Sequence, residues 1–116
     1  MRNARKNRFK NRIFLKKALE KSNIMIKSSA AFEIVNERGF HARPASLFVQ
    51  CAMGFSSSVE VKNLTSGMTA DGKSLLSLLM LAAPKGTRLE VTVSGPDAEN
   101  ALKQLGGIIT GGFDEE

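Results

Sequence analysis

From residue 30 onward the chain switches between two hydrophobic periods. Ala31–Val35 alternates and is rich in strand-forming residues, which predicts a first strand. Asn36 to Phe40 is polar around Gly39 and reads as a loop. Ala45, Phe48, Val49 and Ala52 then recur at helical spacing, with Gly54 placed to end the helix. Ser58–Val61 and the short Met68–Ala70 read as strands around the turn-rich Lys62–Gly67, together a hairpin. Ser74 to Leu81 predicts a short, very apolar helix with Ser74 as its N-cap. After the Pro84-Lys85-Gly86 turn, Arg88–Ser94 is a clear strand with Leu89, Val91 and Val93 on one face. Gly95-Pro96-Asp97 opens a last helix, with Pro96 suited to the first turn and Asp97 and Glu99 to the positive dipole end. Its buried stripe is Ala98, Ala101, Leu102, Leu105, Ile108 and Ile109. Gly111, Gly112 and the acidic end predict a frayed tail.

The order β-α-β-β-α-β-α with short connections favours an α+β sandwich, a four-stranded antiparallel sheet with three helices on one face. At 116 residues and 42% hydrophobic content the chain is long enough for one domain with a modest core. Trp and Tyr are absent, so Phe and the aliphatics must build that core.

Charge changes the picture only when it is split. Residues 1–30 hold ten Lys/Arg and one acid, net +9, whereas residues 31–116 are net −3, which together give +6. The domain is mildly acidic and the basicity sits in a leader, so a basic-protein argument for nucleic-acid binding fails for the domain. Residues 1–29 read as a basic extension, either disordered or outside the native product. Within it, residues 1–24 carry no secretory h-region or cleavage site. They read as a basic tail for acidic partners, as an organelle-type transit peptide, or as sequence ahead of a translation start at Met25. No apolar run reaches membrane-spanning length. One Cys, Cys51, and one His leave no disulfide framework and no zinc ligand set, and they fit a reducing, cytoplasmic setting. Cys51 reads as a small helix side chain without chemistry. No metal and no cofactor is expected.

The chemistry-bearing segment is Gly39-Phe40-His41-Ala42-Arg43-Pro44, where a loop ends and a helix begins. His41 falls at or beside the N-cap, where unpaired N–H groups and the helix dipole receive an anion. The same field favours a neutral, nucleophilic ring. Arg43, in the first turn, can pair with phosphate oxygens as a fork. Pro44 fits there because its missing N–H costs nothing. By spacing alone, a single His before a helix is more often a cap or a solvated side chain.

The segment Gly39-Phe40-His41-Ala42-Arg43-Pro44-Ala45 resembles the active-site segment of the HPr family of bacterial phosphocarriers, including its nitrogen-branch NPr members. Gly72 to Gly86 resembles the family's second-helix segment, and Val91 to Ala98 its last strand and helix start, in family order and spacing. The resemblance covers residues 31–113. It implies an HPr-like open-faced sandwich over 30–113, with 114–116 as an acidic tail. It implies a carrier, not a true enzyme, that takes a phosphoryl group from phosphorylated enzyme I and passes it to an enzyme IIA domain. His41 is then the acceptor through Nδ1, and Arg43 stabilises the phosphate. Ser74 matches the serine modified by HPr kinase/phosphorylase in many bacteria, its alternative being a simple N-cap. A monomer is expected. The acidic ending after Phe113 resembles the NPr branch, which points to regulation as much as to sugar uptake.

At 100° per residue Arg43, Ser46, Leu47 and Gln50 fall away from the core stripe of the first helix. The second helix has more Leu and Met than one buried stripe can use, so Leu75, Leu76 and Leu79 are candidate docking residues, the alternative being a short helix that is fully covered, with Met80 open to a core role. Phe40, Ala42, Ser46, Leu47 and Gln50 complete the expected partner surface. Two other classes compete: a module binding acidic surfaces through its leader, and a signalling protein switched only at Ser74 with His41 idle.

Overall fold

A computed structural model describes residues 26–115; the expectations for residues 1–24 lie outside them. The elements run β1 (Lys27–Glu33), α1 (Ala42–Met53), β2 (Ser58–Asn63), β3 (Thr69–Asp71), α2 (Leu75–Leu79), β4 (Arg88–Ser94) and α3 (Ala98–Thr110), then a short 3-10 turn at Gly112–Asp114. The sheet order is β1-β4-β2-β3, antiparallel throughout. With three helices against the sheet this is the α+β open-faced sandwich read from the sequence.

β4 is central and sets the core. Its Leu89, Val91 and Val93 are fully buried, while Glu90, Thr92 and Ser94 alternate onto the other, polar face. Val59 and Val61 of β2 extend the buried face. Against it lie Pro44, Ala45, Phe48 and Ala52 of α1, Leu78 of α2, and Ala98, Ala101, Leu105 and Ile109 of α3. Each large aliphatic or aromatic side chain so buried contributes about 1.5–3 kcal/mol. α3 lies close over β1 because Gly106 has no Cβ: one added there would sit 2.3 Å from the Phe32 ring.

Three local readings are corrected. β1 begins at Lys27, four residues before the expected start, because the polar stretch Lys27–Ala30 pairs with Ser94–Val91 of β4. Pairing here outweighs weak hydropathy. Pro96 precedes the helix, which begins at Ala98 with Asp97 in the cap position. The Asp97 side chain does not cap; its carboxylate accepts from the backbone N–H groups of Ser56 and Ser57 at 2.9 and 3.0 Å and from both hydroxyls. Burial pushes its pKa up, but these bonds outweigh burial and hold it below the usual carboxylate value. It thereby ties the α1–β2 turn to the start of α3.

The third correction concerns the C-terminus. The expected frayed tail instead folds back: Phe113 is 2% exposed, its ring 5.6 Å from that of Phe40. Gly112, Phe113 and Asp114 all have left-handed φ, at 67°, 57° and 57°. For Phe113 and Asp114 that conformation is costly, and the burial of Phe113 offsets it.

Candidate functional site

The loop before α1 is held from several sides. Gly39 sits at φ +70°, and a Cβ there would meet Ala83 O at 2.6 Å. Only glycine fits both the backbone and the space. The Phe40 N–H donates to Ala83 O at 2.8 Å, and its ring meets Phe48 edge-on at 6.0 Å. His41 follows in extended conformation as the N-cap of α1. Its carbonyl accepts the first helical bond, from Ala45 N–H at 3.0 Å, and its side chain makes no cap bond. The N–H groups of Ala42 and Arg43 have no acceptor among the described residues. Pro44, at the third helical position, has no N–H to satisfy. A 12-residue helix thus presents two free amides and its positive end beside the imidazole.

The folded-back tail brings in a residue that the sequence reading did not assign to the site. The His41 Nε2–H donates to the Glu115 carboxylate, 3.1 Å to Oε1 and 3.0 Å to Oε2. Asn36, 3% exposed, donates from Nδ2 to Glu115 Oε1 at 2.8 Å and to Gly39 O at 2.7 Å. Both partners are acceptors, which fixes the orientation of the amide. Asn36 Oδ1 is buried without a partner among the described residues, a loss of about 1–3 kcal/mol. The His41 hydrogen bond, then that of Asn36 and the His41 and Arg43 charges, hold the Glu115 carboxyl below its usual value against desolvation. The His41 side chain remains 33% exposed.

Glu37, Arg38, Arg43, Asp114 and Glu115 line an open basin of about 400 Å³ beside the ring. Glu37 pairs with Lys85, and Glu115 bonds His41 and Asn36. Arg38 and Arg43 have no ion pair among the described residues, so the basin keeps two uncommitted guanidinium groups. Arg38 was not singled out from the sequence, because in a polar loop it is indistinguishable from a solvated arginine.

Other assigned residues are placed as follows. Ala42, Arg43 and Gln50 are exposed, and Ser46 and Leu47 partly so. Phe40 is the exception: at 4% exposure, between Phe48 and Phe113, it belongs to the core and offers no docking surface. Leu47 lines a groove with Cys51 of α1 and Gln104, Gly107 and Ile108 of α3. On α2, Leu75 and Leu76 are 40% and 72% exposed, Leu79 is partly covered, and Leu78 takes the core position. Met80 is 62% exposed and faces out. Ser74 caps α2, its Oγ accepting from Ser77 N–H at 3.3 Å. Burial pushes the Cys51 thiol up, away from the reactive thiolate. No group of three or more metal-ligating side chains forms among the described residues, and none of their helices is long and apolar enough to cross a membrane.

Residues 28–110 match the family described as PTS HPr component phosphorylation site. The phosphocarrier protein NPr of Escherichia coli is 39% identical over 84 residues, covering 72% of this chain and 92% of that protein. The multiphosphoryl transfer protein of Salmonella typhimurium is 43% identical over 88 residues, 75% of this chain, but the chain spans only 23% of its length. The crystal structure of HPr-C-His from Thermoanaerobacter tengcongensis superposes with a TM-score of 0.72 at 36% identity, covering 77% of this chain and 98% of that one. A histidine at the mouth of a helix, in this sheet order and with this sequence match over most of the domain, leaves one assignment: the chain belongs to the HPr family of phosphotransferase-system phosphocarriers.

Proposed function

We propose that His41 accepts a phosphoryl group on Nδ1 from phosphorylated enzyme I and hands it to an enzyme IIA domain, in the cytoplasm. The observation that carries this reading is the position of His41 as N-cap, beside two unpaired amides and the uncommitted Arg43. A phosphoryl group joined to that ring would meet the helix dipole, free N–H donors and a guanidinium fork, all suited to a dianion. On loading, the Nδ1–phosphorus bond forms as the bond from phosphorus to its donor breaks, with the electron pair leaving on the donor; on unloading, the Nδ1–phosphorus bond breaks as phosphorus bonds the acceptor, and its electron pair returns to Nδ1. The carrier is used up and restored in turn; it performs no turnover of its own.

Docking falls to Ala42, Ser46, Leu47 and Gln50 of α1 and to Leu75, Leu76 and Leu79 of α2. The exposed apolar side chains of α2, with Met80, favour this: one face must hold two partners weakly. Ser74 is the site for HPr kinase/phosphorylase, where a phosphate would add about −1.5 to −2 charges beside the apolar docking residues. It would also turn the Oγ that now accepts from Ser77 N–H into a phosphoester oxygen.

The test is incubation with enzyme I and phosphoenolpyruvate, followed by intact mass at neutral and acid pH. A single phosphate adduct, lost in acid and absent from His41→Ala, is the expected result. An adduct that persists in His41→Ala overturns the assignment of the acceptor.

A further inference from the structure

We infer that Glu115 is a positioning residue for His41, with Asn36 as its buried clamp. The inference rests on the carrier reading above and deepens it. Three observations meet. The Glu115 carboxylate can only accept, so the ring nitrogen facing it, Nε2, must carry the proton. In the neutral ring the lone pair is then on Nδ1, the atom proposed to attack phosphorus. Asn36 grips Glu115 and the Gly39 carbonyl with one amide, so the loop before His41 and the carboxylate against it share an anchor. Finally, the backbone is bent through two left-handed non-glycine residues to deliver this carboxylate. Such strain persists only where surrounding contacts enforce it, here the wedge of Phe113 against Phe40.

The contact acts on the reaction in two ways. It holds the imidazole in one rotation about its side chain, so that Nδ1 stays turned away from the tail. It also faces the charge that develops during transfer. As the Nδ1–phosphorus bond forms and the donor departs with its electron pair, Nε2 keeps its proton and the ring becomes cationic, opposite a carboxylate. Glu115 touches neither phosphorus nor donor; it works through His41.

The chain has one histidine, so imidazole NMR has a single source. In the full chain we expect a protected Nε2–H resonance that survives in Glu115→Gln, whose carbonyl oxygen still accepts, and vanishes in Glu115→Ala through exchange with water. Loading by phosphorylated enzyme I should fall about tenfold in Glu115→Ala and recover to within about threefold in Glu115→Gln. A wild-type Nε2–H resonance that is unprotected, or unchanged in Glu115→Ala, overturns the inference. So does faster loading in Glu115→Ala, which would make the tail a blocker of His41. The NMR arm uses no phosphoryl donor, so failure of the carrier reading leaves it intact and separately readable.

Discussion

Phe113→Ala tests whether the C-terminal turn is docked onto the site by a balance of opposing local terms. Burying a Phe side chain is worth about 3 kcal/mol, and its tilted contact with Phe40 adds about 0.5–1 kcal/mol. Against this, left-handed φ at Phe113 and Asp114 costs about 2 kcal/mol in all. The net docking stability of the turn is therefore about 1.5 kcal/mol. A Phe→Ala change inside a core that cannot collapse costs about 3–5 kcal/mol. Here the chain end can come away and release its strain, so the loss is capped near the docking value. Urea unfolding at neutral pH should show a decrease of about 1–2 kcal/mol with little change in slope, and a Tm lower by about 5–15 °C. Amide exchange should report the same event, since the Glu115 N–H now donates to Gly112 O at 2.9 Å and would lose protection. A loss of 3 kcal/mol or more would mean that the turn is an integral part of the core, and a loss under about 0.5 kcal/mol that Phe113 is not docked; either refutes the reasoning.

Other substitutions probe separate parts of the account. Gly39→Ala adds left-handed strain and drives a Cβ to 2.6 Å from Ala83 O, so denaturant unfolding should register a loss of about 2–4 kcal/mol, with slower loading of His41. Asp97→Ala removes the tie to Ser56 and Ser57, a loss of about 1–2 kcal/mol at this partly exposed site by thermal unfolding at pH 7. Because the folded Asp97 pKa lies below its ordinary 3.8, that stabilisation is complete above 3.8 and disappears as pH falls through the lower folded value. The wild-type and Asp97→Ala stability curves should therefore converge in acid, and a gap that persists there contradicts the ionic account. Leu76→Glu, at a position 72% exposed, should change stability by no more than about 0.5 kcal/mol yet weaken binding to enzyme I about tenfold in titration calorimetry.

Much of this was legible in the sequence because the relevant physics is local. The alternation of Arg88–Ser94 reports a half-buried strand, and the burial of Leu89, Val91 and Val93 follows it residue by residue. Gly39 before His41 and Pro44 after it mark a loop-to-helix junction, which the structure has at Ala42. What escaped depends on partners distant along the chain. The start of β1 is set by pairing with β4, with no hydropathy of its own to announce it. Phe40 is expected on the partner surface, whereas Phe48 and Phe113 bury its ring. The tail was hardest: the Glu115–His41 bond spans 74 positions, and its backbone turns left-handed at non-glycine residues that no turn pattern predicts. The exposure of Met80 follows from α2 being only five residues long, so that Leu78 alone of its side chains is fully buried.

The claim that this chain carries phosphate on one imidazole is tested most directly by following a labelled phosphoryl group through it. Protein loaded by enzyme I with radiolabelled phosphoenolpyruvate, freed of donor and mixed with an enzyme IIA domain, should give up its label to that domain and return to its unmodified mass, while His41→Ala never takes up label. Label that stays on the chain, or that loads equally well without His41, would contradict the account.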